Sequence, residues 1–169
     1  MAITYKKIAS VTVGSGGTTT ISFTSIPATY TDLLVKMSLR ADTTADYISL
    51  RFNSSTSSFT SRYLLGDGSA ASSGSRTDTF QSATVNLSTF TASTFSNAEL
   101  YIPNYAGSTN KSFSIDTINE NNATTAYMQL IAGLWSNTAA ISSITMVSGA
   151  GASNFVQYST ATLYGILKA

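Results

Sequence analysis

Cysteine and histidine are both missing from the 169 residues. Their absence excludes disulfides, thiolate nucleophiles, imidazole general bases and the usual zinc ligand sets. Charge is scarce as well. Asp, Glu, Lys and Arg together make up 10% of the chain, against roughly 25% in an average soluble protein. Nine Lys plus Arg against eight Asp plus Glu leave a net charge of +1, which gives little long-range steering and little colloidal repulsion. No basic patch offers a track for a phosphate backbone, so no nucleic-acid partner is expected. The opening residues, 1–13, lack the basic flank and apolar core of a signal peptide. No apolar run approaches the ~18–20 residues of a membrane span, so no membrane partner is expected either. The Asn-x-Ser/Thr matches at Asn53, Asn86, Asn110 and Asn122 then read as chance hits in a Ser/Thr-rich chain. Sustained helical periodicity is also missing.

What is present is a strand pattern. Hydrophobic residues make up 43% of the chain, enough for a real core. The length fits one domain spanning 1–169. Apolar residues recur at period two between clusters of Gly, Ser, Asn and Thr. Thr, Val, Ile, Tyr and Phe dominate these segments, and they suit a pleated, half-buried surface. Residues 3–13 and 18–25, joined by Gly14-Ser15-Gly16-Gly17, read as a hairpin, with Ile21 and Phe23 on one face. Pro27 ends the return strand, because it cannot donate to a ladder. In 32–40, Leu33, Val35, Met37 and Leu39 share a face. In 47–53, Ile48, Leu50 and Phe52 do so, and these two strands read as neighbours in one antiparallel sheet.

Residues 54–78 read as a long loop with a helical turn or short strand in its middle, 59–65. Further strands are expected at 79–87, 95–103 (Leu100 and Ile102 inward), 112–119 (Phe113 and Ile115 on one face), 141–147 and 159–168. Segment 125–135 is expected to bury Met128, Leu130, Ala132 and Leu134. About nine or ten strands at even spacing predict an all-β, antiparallel sandwich or barrel.

Chemistry is thin. The carboxylates are Asp32, Asp42, Asp46, Asp67, Asp78, Asp116, Glu99 and Glu120. Glu99 and Asp116 lie on strands that could pair, and a glycosidase needs two such groups roughly 5–10 Å apart. The plainer reading has both solvated or paired with Lys and Arg. Asp42 and Asp46, with Thr43 and Thr44, offer oxygens that calcium could use. Their spacing is not that of an EF-hand, and acidic loop residues commonly cap turns. Gly14–Gly17 lacks the Lys-Ser/Thr and the helix of a phosphate loop. No enzyme, metal or cofactor is therefore expected. Tyrosines are plentiful, 9 in all. Tyr47, Tyr101 and Tyr127 fall on outward positions, where they serve as packing under loops, as a protein interface or as a sugar-stacking platform.

Several segments together resemble one family. They are Ile26-Pro27-Ala28-Thr29-Tyr30-Thr31-Asp32-Leu33, Leu50-Arg51-Phe52-Asn53, Tyr101-Ile102-Pro103-Asn104-Tyr105, Trp135 with Thr138-Ala139-Ala140-Ile141, and Ser159-Thr160-Ala161-Thr162-Leu163-Tyr164-Gly165-Ile166. Their order and spacing resemble those of small tailed-bacteriophage virion proteins of the capsid decoration (cement) and tail-fibre type. The resemblance covers nearly the whole chain and transfers no active-site residues. At 54–58 this chain departs from the Gly/Asp-rich loop of similar proteins. The resemblance implies a jelly-roll β-sandwich on a virion surface, made in the host cytoplasm. It would bind the major capsid protein, commonly as a homo-trimer. The alternative it leaves open is a receptor-binding tail-fibre domain that holds host glycan. Under the first reading, subunit or capsid contacts are expected from Tyr5, from Arg62 and Tyr63, and from the turn at Asn104 and Tyr105.

Overall fold

Alternating apolar residues need a second apolar layer to cover them, and here they find it in a two-sheet sandwich. A computed structural model describes residues 4–44, 47–77, 81–122 and 126–167, with the backbone alone at 81 and 82. The strand ends expected at Ile3, Thr79, Thr125 and Lys168, and the carboxylates of Asp46 and Asp78, lie outside the described residues. The strands are β1 (Tyr5–Thr12), β2 (Thr20–Phe23), β3 (Asp32–Leu39), β4 (Tyr47–Phe52), β5 (Phe59–Gly66), β6 (Ala71–Thr77), β7 (Gln81–Thr84), β8 (Ser96–Pro103), β9 (Lys111–Ile118), β10 (Met128–Trp135), β11 (Ile144–Ser148) and β12 (Thr160–Ile166). The large sheet runs β1-β12-β3-β8-β9-β10-β5-β6 and the small one β2-β11-β4-β7. Every pairing is antiparallel. No α-helix occurs among the described residues.

One apolar core lies between the sheets. Leu33, Val35, Met37 and Leu39 of β3 meet Ile48, Leu50 and Phe52 of β4 there, as their alternation predicts. Ile21, Phe23, Leu100, Ile102, Phe113 and Ile115 are buried with them. At one end the rings of Phe52, Phe59, Phe113 and Trp135 form a cluster. Phe52 packs edge-on to Phe113 and Trp135 at 5.4 and 5.7 Å, and Phe59 stacks on Trp135 at 6.0 Å. Such contacts add to the gain from burial alone.

Four expectations are corrected. β1 and β2 do not form a hairpin: β1 pairs with β12 and β2 with β11, in different sheets. The glycine turn between them, closed by Gly17 N–H to Gly14 O at 3.1 Å with Gly17 at φ +67°, carries the chain across the sandwich. β3 and β4 likewise belong to opposite sheets. Alternation reports which face is buried, not which strand lies alongside, and strands facing one core from opposite layers carry the same pattern.

The third correction concerns 54–78. Its greater part is the β5–β6 hairpin, paired without a break from Thr60–Thr77 to Gly66–Ala71. Asp67 builds its turn, accepting the N–H groups of Ser69 and Ala70 at 2.8 and 2.7 Å. β6 reads Ala-Ser-Ser-Gly-Ser-Arg-Thr, which carries no apolar signal to mark it as a strand.

The fourth correction is a face inversion in β10. Ile131 and Trp135 point into the core; Met128, Leu130 and Ala132 point out, and Leu134 is only half-buried. The core side is shaped for this phase. The Phe113 ring lies over Gly133, where a Cβ would fall 2.2 Å from it. Trp135 fills the aromatic cluster on the same face, against Phe52 and Phe59.

Candidate interaction surface

The inversion of β10 leaves apolar side chains in water. On the outer face of the large sheet Leu130 stands opposite Leu64 of β5, and Met128 opposite Ile118 of β9. Their exposures are 54%, 53%, 60% and 42%. All four lie on three adjacent strands, so they form one patch rather than scattered residues. Covering the remaining exposed half of four such side chains yields roughly 3–6 kcal/mol before the cost of association.

Charges flank the patch. Arg62 stands opposite Ala132 and Asp116 opposite Leu130, and both line the same shallow groove. Among the described residues the Arg62 guanidinium donates only to the neighbouring Ser61 carbonyl, at 3.0 Å. Asp116 has no ion pair among the described residues. Glu99 sits directly across from Asp116, and Lys36 holds it at 2.9 Å. That contact raises the Lys36 pKa, chiefly through the hydrogen bond to Glu99.

A second feature lies further along the same face. Tyr5, Tyr164, Leu34, Lys36 and Glu99 line a shallow groove over β1, β12, β3 and β8. Tyr101, on β8 opposite Leu34, donates to Asp32 at 2.9 Å, and this hydrogen bond raises its phenol pKa.

The other charged groups secure loops. Arg40 donates to the carbonyls of Thr91 and Thr94 at 2.9 Å and of Phe90 at 3.0 Å, fixing the β7–β8 connection. Lys111 is buried, and its ammonium donates to the carbonyls of Gly107 (2.6 Å), Thr109 and Thr138 (3.2 Å). Burial lowers its pKa. Asp42 accepts the backbone and side-chain N–H groups of Asn154 at 2.8 and 2.9 Å, so it ties two loops together.

The residues expected to make contacts fall into two groups. Tyr5, Arg62 and Asn104 are exposed. Tyr5 and Arg62 belong to the two grooves just described, and Asn104 sits at the β8–β9 turn with its N–H donating to Asp32. Tyr63 points inward, half-buried, with Arg76 over its ring at 4.5 Å. Tyr105 is fully buried, which corrects its placement at a surface. Its hydroxyl donates to the Pro27 carbonyl and accepts the Tyr30 N–H, tying down the segment before β3. The patch residues Leu64, Ile118, Met128 and Leu130 were not singled out from sequence as a surface. The available signal was that β10 carries apolar residues on both phases. Among the described residues no group of three or more acidic side chains is placed to hold a metal ion.

No family model, curated protein or solved structure matches the chain.

Proposed function

We propose that the chain is a non-enzymatic structural protein of a tailed-phage virion, a decoration protein that seats on the outside of the head and braces the major capsid subunits. The observation that carries this reading is the apolar patch of Leu64, Ile118, Met128 and Leu130 on an open sheet face. A patch of this kind calls for a protein partner. The low charge content supports it, because a covered surface avoids unpaired ions.

Strand order supports the jelly-roll form of the reading. With the hairpins β5–β6 and β9–β10 set aside, the remaining strands, counted in chain order, pair as 1-8-3-6 and 2-7-4-5. This interleaving is that of an eight-stranded double-sheet jelly roll, and the two hairpins widen one of its sheets. Four of the six described carboxylates also favour a non-catalytic role: Asp32, Asp42, Asp67 and Glu99 are held in turns, loop ties or an ion pair. A homo-trimer at local threefold positions belongs to the same proposal, by resemblance alone.

The test is to add purified protein to heads that lack it. Binding, density on the head by electron microscopy and a rise in heat resistance are expected. Leu64→Asp with Leu130→Asp should abolish binding while leaving the unfolding transition in place. Binding that survives both substitutions removes the patch from the argument.

One observation favours the glycan-binding alternative: the groove with Tyr5, Tyr164 and a charged pair offers a ring platform flanked by hydrogen-bonding groups. Binding to host polysaccharide that is lost in Tyr5→Ala or Tyr164→Ala, without any binding to heads, would replace the decoration reading.

A further inference from the structure

A sandwich of two open sheets has four edges, and each is a template for adding another strand unless something blocks it. Three are blocked here. β1 carries exposed Lys6 and Lys7 and a bulge between Lys7 and Ala9. β2 is four residues long. β7 is equally short and breaks register against β4. The fourth edge, β6, has no such guard. It runs for seven residues without proline, lysine or a bulge. Among the described residues its one strand partner is β5, and no other backbone–backbone hydrogen bond between described residues is found at 71–77.

We propose that β6 is a self-association edge: two copies of the chain pair antiparallel through β6 about a two-fold axis at Gly74, making one continuous sheet. The residue pattern selects this occupant. Pairing about Gly74 sets Ser73 opposite Ser75, Ser72 opposite Arg76 and Ala71 opposite Thr77. All seven residues find partners, and no two like charges meet. The side chains at the seam are small, and Ser–Ser pairs across strands are favourable. Arg76 is drawn over the Tyr63 ring of its own chain at 4.5 Å. The guarded β1 edge stops growth at two copies, so the contact closes instead of running into a fibre.

The pairing is two-fold, so it adds to any threefold contact, and it is measured without a virion present. Light scattering and sedimentation of the purified protein should show a mass that doubles with concentration. Ser73→Lys with Ser75→Lys puts like charges at two symmetric positions and should weaken the doubling roughly 2- to 30-fold. Ser73→Asp with Ser75→Lys puts opposite charges at the same positions and should restore it. Should the like-charged variant fail to fold, hydrogen exchange on the wild-type chain decides. The β6 amides should slow as concentration rises while the β1 amides do not. A mass independent of concentration, the same response from both charge variants, or β6 exchange unaffected by concentration would overturn the proposal.

Discussion

The phase of β10 is open to a direct stability test with two adjacent residues. Ile131 is buried between the sheets at 3% exposure, while Leu130, its neighbour, is 54% exposed on the opposite face. Ile131→Ala removes a buried side chain from between the sheets, where Ile131 stands beside Ile115 of β9 and Tyr63 of β5. The expected cost is about 2–5 kcal/mol. Leu130→Ala removes a side chain that already meets water over half its surface. Its cost should stay near 0.5 kcal/mol, roughly that of an ordinary surface change. At ~2–4 °C per kcal/mol for a chain of this size, the first variant should melt about 4–20 °C lower and the second about 1–2 °C lower. Urea unfolding of both with unchanged m-values provides the free energies. Had the alternation been read at face value, with Leu130 and Leu134 inside, the order would reverse. A Leu130→Ala cost that equals or exceeds that of Ile131→Ala would refute the phase of β10 and, with it, the exposed patch.

Three further perturbations address the tethers. Tyr105→Phe leaves the Pro27 carbonyl and the Tyr30 N–H without their partner and should cost about 1–3 kcal/mol in chemical unfolding. Burial raises the Tyr105 pKa. The hydroxyl's contribution is therefore complete below the ordinary value of 10.0 and lost as pH climbs through the raised one, a loss that the Phe variant should not show. Arg40→Ala should free residues 87–95 for limited proteolysis and cost at least the ~1.5–3 kcal/mol of one charge-assisted hydrogen bond. Lys111→Met strands three carbonyls and should destabilise by about 1–3 kcal/mol near neutral pH. Because burial lowers the Lys111 pKa, the unfolded chain binds more protons as pH approaches the ordinary 10.5. Lys111 should therefore contribute stability that rises with pH in that window, read as the difference between wild type and Lys111→Met.

Much of the fold could be read from the chain because alternation is a local signal. In β3, β4, β8 and β9 the apolar residues are concentrated on one phase, and the buried face follows from it. Neighbour relations could not be read, because they depend on where the chain crosses the sandwich. Nothing near Gly14–Gly17 or Ala41 distinguishes a crossing from a hairpin turn. β6 escaped notice because an exposed edge strand buries nothing and needs no apolar phase. β10 was misread because it has two apolar phases, and only the ring of Phe113 over Gly133 decides between them. The same ambiguity hid the candidate surface: a strand apolar on both sides is either buried twice or waiting for a partner. Tyr105 shows the opposite error. A tyrosine beside a Pro-Asn turn reads as exposed, yet its ring is buried and its hydroxyl donates to the Pro27 carbonyl.

The scarcity of charge takes on a sharper meaning once the charges are placed. Arg40 and Lys111 are spent on loop carbonyls, Asp32 and Asp42 on turns and loop ties, and Lys36 on Glu99. These groups hold the sandwich ends in shape and do little to repel a neighbouring molecule. Much of the outer face of the large sheet is then hydroxyl-bearing or apolar, with Arg62 and Asp116 standing at the margins of the leucine row. Hydroxyls tolerate either water or a partner, since a Ser–Ser contact replaces a Ser–water contact at little cost. Leucines do not, because exposed apolar area always gains from being covered. A partner for this face should therefore present an apolar centre with a carboxylate near Arg62 and a cation near Asp116. That is a stricter requirement than the β6 edge imposes, where backbone groups alone set the terms. The edge is suited to a copy of the chain itself, and the face to a different surface.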